Sequence, residues 1–173
     1  MQKNKYDVTG KCLSRGLAAQ QRFENIAKKR QNEIRASGRN EDMNKHIDYW
    51  IEETSYDVKA VKKLNSGDKD VDYDIVWIEL HGVRKNDAGW LYNGCANFIA
   101  FESVKGFILF DRKELLTYID KIQKKIRQKD GVHPSPRKKQ LYRIYSRRDR
   151  NDEIICVKLS DLQENLTYRE WHD

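Results

Sequence analysis

The stretch that most limits what this chain can become is residues 46–60, His-Ile-Asp-Tyr-Trp-Ile-Glu-Glu-Thr-Ser-Tyr-Asp-Val-Lys-Ala. Two short runs, Tyr49-Trp50-Ile51 and Tyr56-Asp57-Val58-Lys59-Ala60, have the aromatic and β-branched content of strands and predict an adjacent pair in a hairpin. Each carries an acid where a strand should be apolar: Asp48 at the start of one, Asp57 inside the other. Lys59 lies two residues beyond Asp57, so the strand period sends both to one face and Val58 to the other, into a core. Two carboxylates and an amine on one sheet edge suit a divalent metal and a phosphodiester. Oxygen ligands favour Mg²⁺ or Mn²⁺, and a lysine orients an attacking water or neutralises the phosphate. A solvated Asp–Lys pair is the competing reading in a chain of which 35% is charged.

An acid on one strand, a short turn, then acid-x-Lys on the next resembles the PD-(D/E)XK nuclease superfamily. The likeness covers roughly residues 13–62. It implies an α/β fold with a restriction-endonuclease-like core, a mixed central sheet flanked by helices, extended here by β-rich and basic C-terminal elements. It also implies a Mg²⁺-dependent (or Mn²⁺-dependent) endonuclease hydrolysing phosphodiester bonds in DNA, structured or branched DNA included. Asp48, Asp57 and the Val58 carbonyl would hold the metal, and Lys59 would position or deprotonate the water. In several families of the superfamily the first helix carries a glutamate that reaches the metal, and Glu24 is the residue that matches. Small size and a basic tail are similar to Holliday-junction resolvases and to phage or viral endonucleases, many of them homodimers. The chain departs from the pattern in having Ile47 where proline is common, Asp57 for the commoner Glu, and no evident helix directly after the Lys59 strand. A rival assignment makes Asp57 the first acid and Glu79-Leu80-His81 a degenerate second motif. The nine-residue spacing from Asp48 to Asp57 suits a hairpin better than the twenty-two residues from Asp57 to Glu79.

A length of 173 residues supports one domain with a real core. The net charge of +7 is unevenly spread: residues 121–150 hold twelve Lys or Arg against two Asp, a local +10, leaving about −3 for the rest. Such clustering is an electrostatic footprint for a polyanion, with DNA the expected partner and RNA left open. Within it, Lys138, Lys139, Arg143, Tyr145, Arg147, Arg148 and Arg150 alternate cations with aromatics, as phosphate contact plus base stacking requires. A non-catalytic nucleic-acid-binding protein with this basic surface is the alternative function, and an interaction factor on a decayed nuclease fold a third. Three scattered cysteines (Cys12, Cys95, Cys156) and four scattered histidines argue against a disulfide framework and against structural or catalytic zinc. The absence of a long apolar run or a signal-like N-terminus predicts an intracellular protein without a membrane partner.

Taken in order, residues 1–12 read as a loose arm and 13–30 as a helix with Leu13, Leu17, Ala19, Phe23, Ile26 and Ala27 on its apolar stripe. On that helix Glu24 also has an i,i+4 partner in Lys28. Residues 33–37 predict a strand, 41–46 a short helix or loop, 62–74 a loop and 75–80 a strong strand with Glu79 facing away from Ile78 and Leu80. Asn93-Gly94 is a hairpin signal. Asp111 is an N-cap for a helix striped by Leu115, Leu116, Ile119, Ile122 and Ile126. Residues 131–136 read as an exposed loop, 141–145 as a cation-studded strand, 153–158 as a strand and 159–171 as a closing helix.

Overall fold

The computed structural model describes residues 10–30, 33–65, 67–82, 88–136, 138–147 and 151–173. The first helix, α1 (Lys11–Lys29), starts from Gly10 in the left-handed conformation. Its apolar stripe buries Ala19, Phe23, Ile26 and Ala27, while the expected stripe member Leu17 stays exposed. Phe23 is fully buried and has four aromatic rings, Tyr49, Tyr56, Phe107 and Trp171, with centroids 5.1–5.8 Å away. That cluster seats α1 on one face of the larger sheet.

The strands follow as β1 (Ile34–Ala36), β2 (Tyr49–Ile51), β3 (Thr54–Lys59), β4 (Ile75–His81), β5 (Phe98–Ser103), β6 (Gly106–Asp111), β7 (Val132–Pro134), β8 (Ile144–Ser146), β9 (Glu153–Lys158) and β10 (Tyr168–His172). Between them lie α2 (Arg39–Lys45), α3 (Gly89–Asn93), α4 (Arg112–Lys129) and α5 (Leu159–Asn165). Six strands form the larger sheet in the order β1-β2-β3-β5-β6-β10. Every neighbour pair in it is antiparallel except β3 with β5, which are parallel. The smaller sheet has the order β4-β9-β8-β7, with β7 parallel to β8. Ile99, Phe101, Ile108 and Phe110 of the larger sheet share one core with Val76, Ile78, Leu80, Ile144, Ile155 and Val157 of the smaller, joined by Leu115 and Ile119 of α4. The larger sheet therefore carries α1 on one face and the smaller sheet with α4 on the other, a mixed α/β architecture.

Several expectations hold in detail. The β2–β3 hairpin forms with Tyr49 opposite Tyr56 and Ile51 opposite Thr54. Asp111 caps α4 by accepting from the backbone N–H groups of Lys113 and Glu114 at 2.8 and 3.1 Å. All three cysteines are free. Others change. Asn93-Gly94 ends helix α3 instead of turning a hairpin, because Trp90 and Leu91 are both buried and a helical turn satisfies them. Gly94 is needed there for space, since a Cβ would lie 2.2 Å from the Trp90 carbonyl oxygen. The segment 132–134 is an edge strand rather than a loop. Helix α5 stops at Asn165, and the last residues form β10 against β6. Among the described residues no helix is long and apolar enough to cross a membrane.

Candidate active site

Strand β2 begins at Tyr49, one residue after Asp48, and this sets the site. The backbone of Asp48 continues the ladder: its N–H donates to the Tyr56 carbonyl at 2.8 Å, and its carbonyl accepts from Ser37 at 2.9 Å. Two residues further along β3, the Val58 N–H has no β2 residue opposite it, and a buried N–H must find an acceptor. The Asp48 carboxylate supplies it, with Oδ2 2.7 Å from Val58 N. The other oxygen, Oδ1, accepts from the Gln20 amide of α1 at 2.6 Å. Ahead of Asp48, Glu41 fixes the approach, accepting from the Gly38 N–H at 3.0 Å and the Trp50 indole at 3.1 Å.

Asp57 and Lys59 share a face of β3, and their side chains meet at 2.7 Å through Asp57 Oδ1. Asp57 is only 3% exposed. Its second oxygen, Oδ2, is buried with no hydrogen-bond partner. Lys59 is held from the other side by the Trp90 ring, 4.6 Å from its Nζ to the ring centroid. Val58, pointing the opposite way, is buried in the aromatic cluster under α1. Burial first, and then the Asp57 carboxylate, push the Asp48 carboxyl up to about 7; the Lys59 ammonium and the Val58 N–H pull the other way. Two carboxylates share one lysine here, so the site is short of positive charge.

These groups fit a hard divalent cation. An orphaned carboxylate oxygen, a second carboxylate of raised pKa, and the Val58 carbonyl, which in a strand points the same way as its N–H toward Asp48, form an all-oxygen donor set. Among the described residues no group of three or more His, Cys, Asp or Glu side chains gathers to hold a metal. Mg²⁺ bound through one or two carboxylates with waters and substrate phosphate filling the remaining positions needs no third.

Glu24 does not join this set. It pairs with Lys28 at 2.6 Å and accepts from the Tyr49 hydroxyl at 3.4 Å, and burial together with Glu24 pushes that phenol up to about 12. Gln20, one helical turn earlier, takes the place facing Asp48. Sequence reading weighed only carboxylates on α1 and so passed over the amide. Trp90 was likewise missed, because nothing local in the chain ties its ring to Lys59, thirty-one positions earlier.

The basic segment is arranged differently from the expectation. Tyr145 is 2% exposed and its hydroxyl accepts from the Gln140 N–H, so it offers no face to a base. The alternation that suggested an exposed cationic strand is confined to Ile144–Ser146, and Tyr142 has a left-handed φ of 56° that ends it. Arg143 pairs with Asp130 at 2.8 Å, and Arg147 pairs with the buried Asp152. Lys138 is exposed, and Lys139 donates to the Leu64 carbonyl at 3.3 Å. Arg148 and Arg150 lie outside the described residues. Comparison of the chain with protein families, with curated proteins and with solved structures finds no match.

Proposed function

We propose that this protein is a Mg²⁺-dependent (or Mn²⁺-dependent) endonuclease acting on phosphodiester bonds of DNA. The observation that carries the reading is the half-buried Asp48 beside the buried Asp57, the two sharing Lys59, with one Asp57 oxygen left unpartnered. The order of helix, strand, then the Asp48 and Asp57 strands of an antiparallel meander, in a mixed sheet with α1 on one face and α4 with the smaller sheet on the other, also supports a restriction-endonuclease-like core. A bound Mg²⁺ would supply charge stabilisation at the scissile phosphate and acidify a bound water.

The chain's own residues prepare that chemistry. Asp48 and Asp57 bring converging negative charge to the β2–β3 edge. Gln20 and the Val58 N–H fix the Asp48 carboxylate in one orientation. Lys59, aimed by Trp90 and Asp57, presents its ammonium where it can orient a water and donate hydrogen bonds to the phosphate oxygens. Val58 anchors the strand in the aromatic cluster, so the two flanking side chains keep their geometry.

The alternative, a non-catalytic nucleic-acid-binding protein, draws on the lack of a third acidic ligand among the described residues. Incubating supercoiled plasmid, linear duplex, single strand and a four-way junction with Mg²⁺, Mn²⁺ or EDTA separates the two. Metal-dependent cutting that disappears in both Asp48→Ala and Lys59→Ala is the expected result. Salt-sensitive binding without cutting of any of the four would move the assignment to the binding protein.

A further inference from the structure

The cations of this molecule are not equally compensated. Arg127, Arg143 and Arg147 each meet a carboxylate, in Glu153, Asp130 and Asp152. Lys62 and Lys139 do not: among the described residues neither forms an ion pair with an acid. Both instead lie against the same indole, Lys62 Nζ 5.9 Å and Lys139 Nζ 5.3 Å from the Trp77 ring centroid. Those two distances place the ammonium groups no more than about 11 Å apart.

Their position is built, not incidental. Trp77 sits in β4, paired with Cys156 of β9, on the face of the smaller sheet turned away from the shared core. The segment that follows Lys59 crosses that face and is tied to the segment around Lys139: the Lys139 N–H donates to Asn65 Oδ1 at 2.6 Å, and its ammonium to the Leu64 carbonyl. Lys62 stands three residues beyond the catalytic candidate Lys59. Desolvation by the surrounding protein and the Lys59 cation lower the Lys62 pKa although part of the side chain reaches solvent; Glu79 opposes them. Desolvation, with Arg147 adding to it, lowers that of Lys139 against Cys156 and Asp68. Lys62 feels the Lys59 and Arg147 cations and Lys139 feels Arg147, a repulsion that an arriving anion relieves, and the Trp77 ring beside each ammonium fixes its place without neutralising it.

We propose that Lys62 and Lys139, gathered on Trp77 next to Lys59, form a phosphate subsite that holds a diester flanking the scissile one on the DNA strand. The inference rests on the nuclease reading for which diester is scissile, but not for the binding itself. Lysines act here as point charges on the backbone, which predicts little dependence on base sequence.

The test is binding of a fluorescent duplex in EDTA across a salt series, for wild type, Lys62→Ala, Lys139→Ala and Lys62→Arg, beside cleavage kinetics in Mg²⁺. Each alanine variant should lose about threefold to tenfold in affinity at low salt and flatten the log–log salt slope by about one unit. Lys62→Arg should retain most of the slope. In cleavage, the alanine variants should raise KM more than they lower kcat. Thermal unfolding of each variant separates a lost contact from a lost fold. Unchanged slopes in folded alanine variants would overturn the subsite while leaving cleavage, and the nuclease reading, untouched. Flattened slopes in a protein that cuts no DNA would uphold the subsite and overturn the nuclease reading instead.

Discussion

Two buried aspartates in this molecule look alike and differ in one respect. Asp57 and Asp152 are 3% and 0% exposed, and each gives one oxygen to a cation, Lys59 or Arg147, while the other oxygen has no partner. Asp152 and Arg147 balance to zero. Asp57 has Asp48 beside it, so two carboxylates lean on one ammonium and the sum is negative. A buried ion pair that balances is a structural solution; one that does not balance is costly unless a further cation completes it. The count of charges around each acid, more than its burial, is what separates the two.

The largest expected difference is in catalysis. Asp57→Asn and Lys59→Ala should each lower Mg²⁺-dependent cleavage by about a hundredfold or more, whereas Asp152→Asn should leave the rate within a few-fold of wild type. A plasmid-nicking time course decides it; equal losses at both aspartates would erase the distinction. Stability should respond with opposite signs. Metal-free at pH 8, Asp48→Asn should raise stability by about 1–3 kcal/mol by removing the cost of desolvating its charge and then the repulsion with Asp57, since Gln20 can turn its amide to keep the hydrogen bond. Asp152→Asn should lower it by about 1–2 kcal/mol, a figure discounted because Arg147 is 33% exposed. Urea unfolding of the two variants measures both.

The pH dependence sharpens the same contrast. An Asp48 carboxyl held at about 7 in the folded protein, against about 3.9 unfolded, keeps a proton that the unfolded chain has already released between those values. Metal-free stability should therefore fall from pH 4 to pH 7 on account of this group, and that portion of the slope should vanish in Asp48→Asn. Mg²⁺ should raise the Tm of wild type and of Asp152→Asn above pH 7, but not that of Asp48→Asn. The smallest effect is expected from Arg143→Ala, whose pair with Asp130 is partly exposed: under about 1 kcal/mol of stability and little change in the salt slope of DNA binding.

Much of this was legible in the chain wherever the signal is local. The hairpin, the shared face of Asp57 and Lys59, and the Asp111 cap depend on residues a few positions apart, and a two-residue period or a capping geometry decides them. What the sequence concealed depends on distant partners. Residues 168–172 bury only Trp171, so no alternation announces the strand that β6 accepts at its edge. Tyr145 reads as a surface aromatic among arginines until the segment 138–142 closes over it. Gln20 and Glu24 occupy the same helical face one turn apart, and only the register of α1 on the sheet decides which meets Asp48. Lys62 carried no signal in sequence, because its significance is a ring fifteen residues away.

The parallel pairing of β3 with β5 has a kinetic consequence. After Lys59 the chain leaves the larger sheet, lays down β4 in the smaller one, and returns at Phe98; after β9 it crosses back to add β10. Each sheet thus waits on strands from both halves of the polypeptide. Such interleaving delays the rewarding contacts until long loops have closed, which favours slow, all-or-none folding. A chain cut after Lys129 would leave β4 without β9 and β6 without β10, so the carboxylate edge could not be carried by the first half alone. On a ribosome, the larger sheet would be completed only when β10 had emerged to pair with β6.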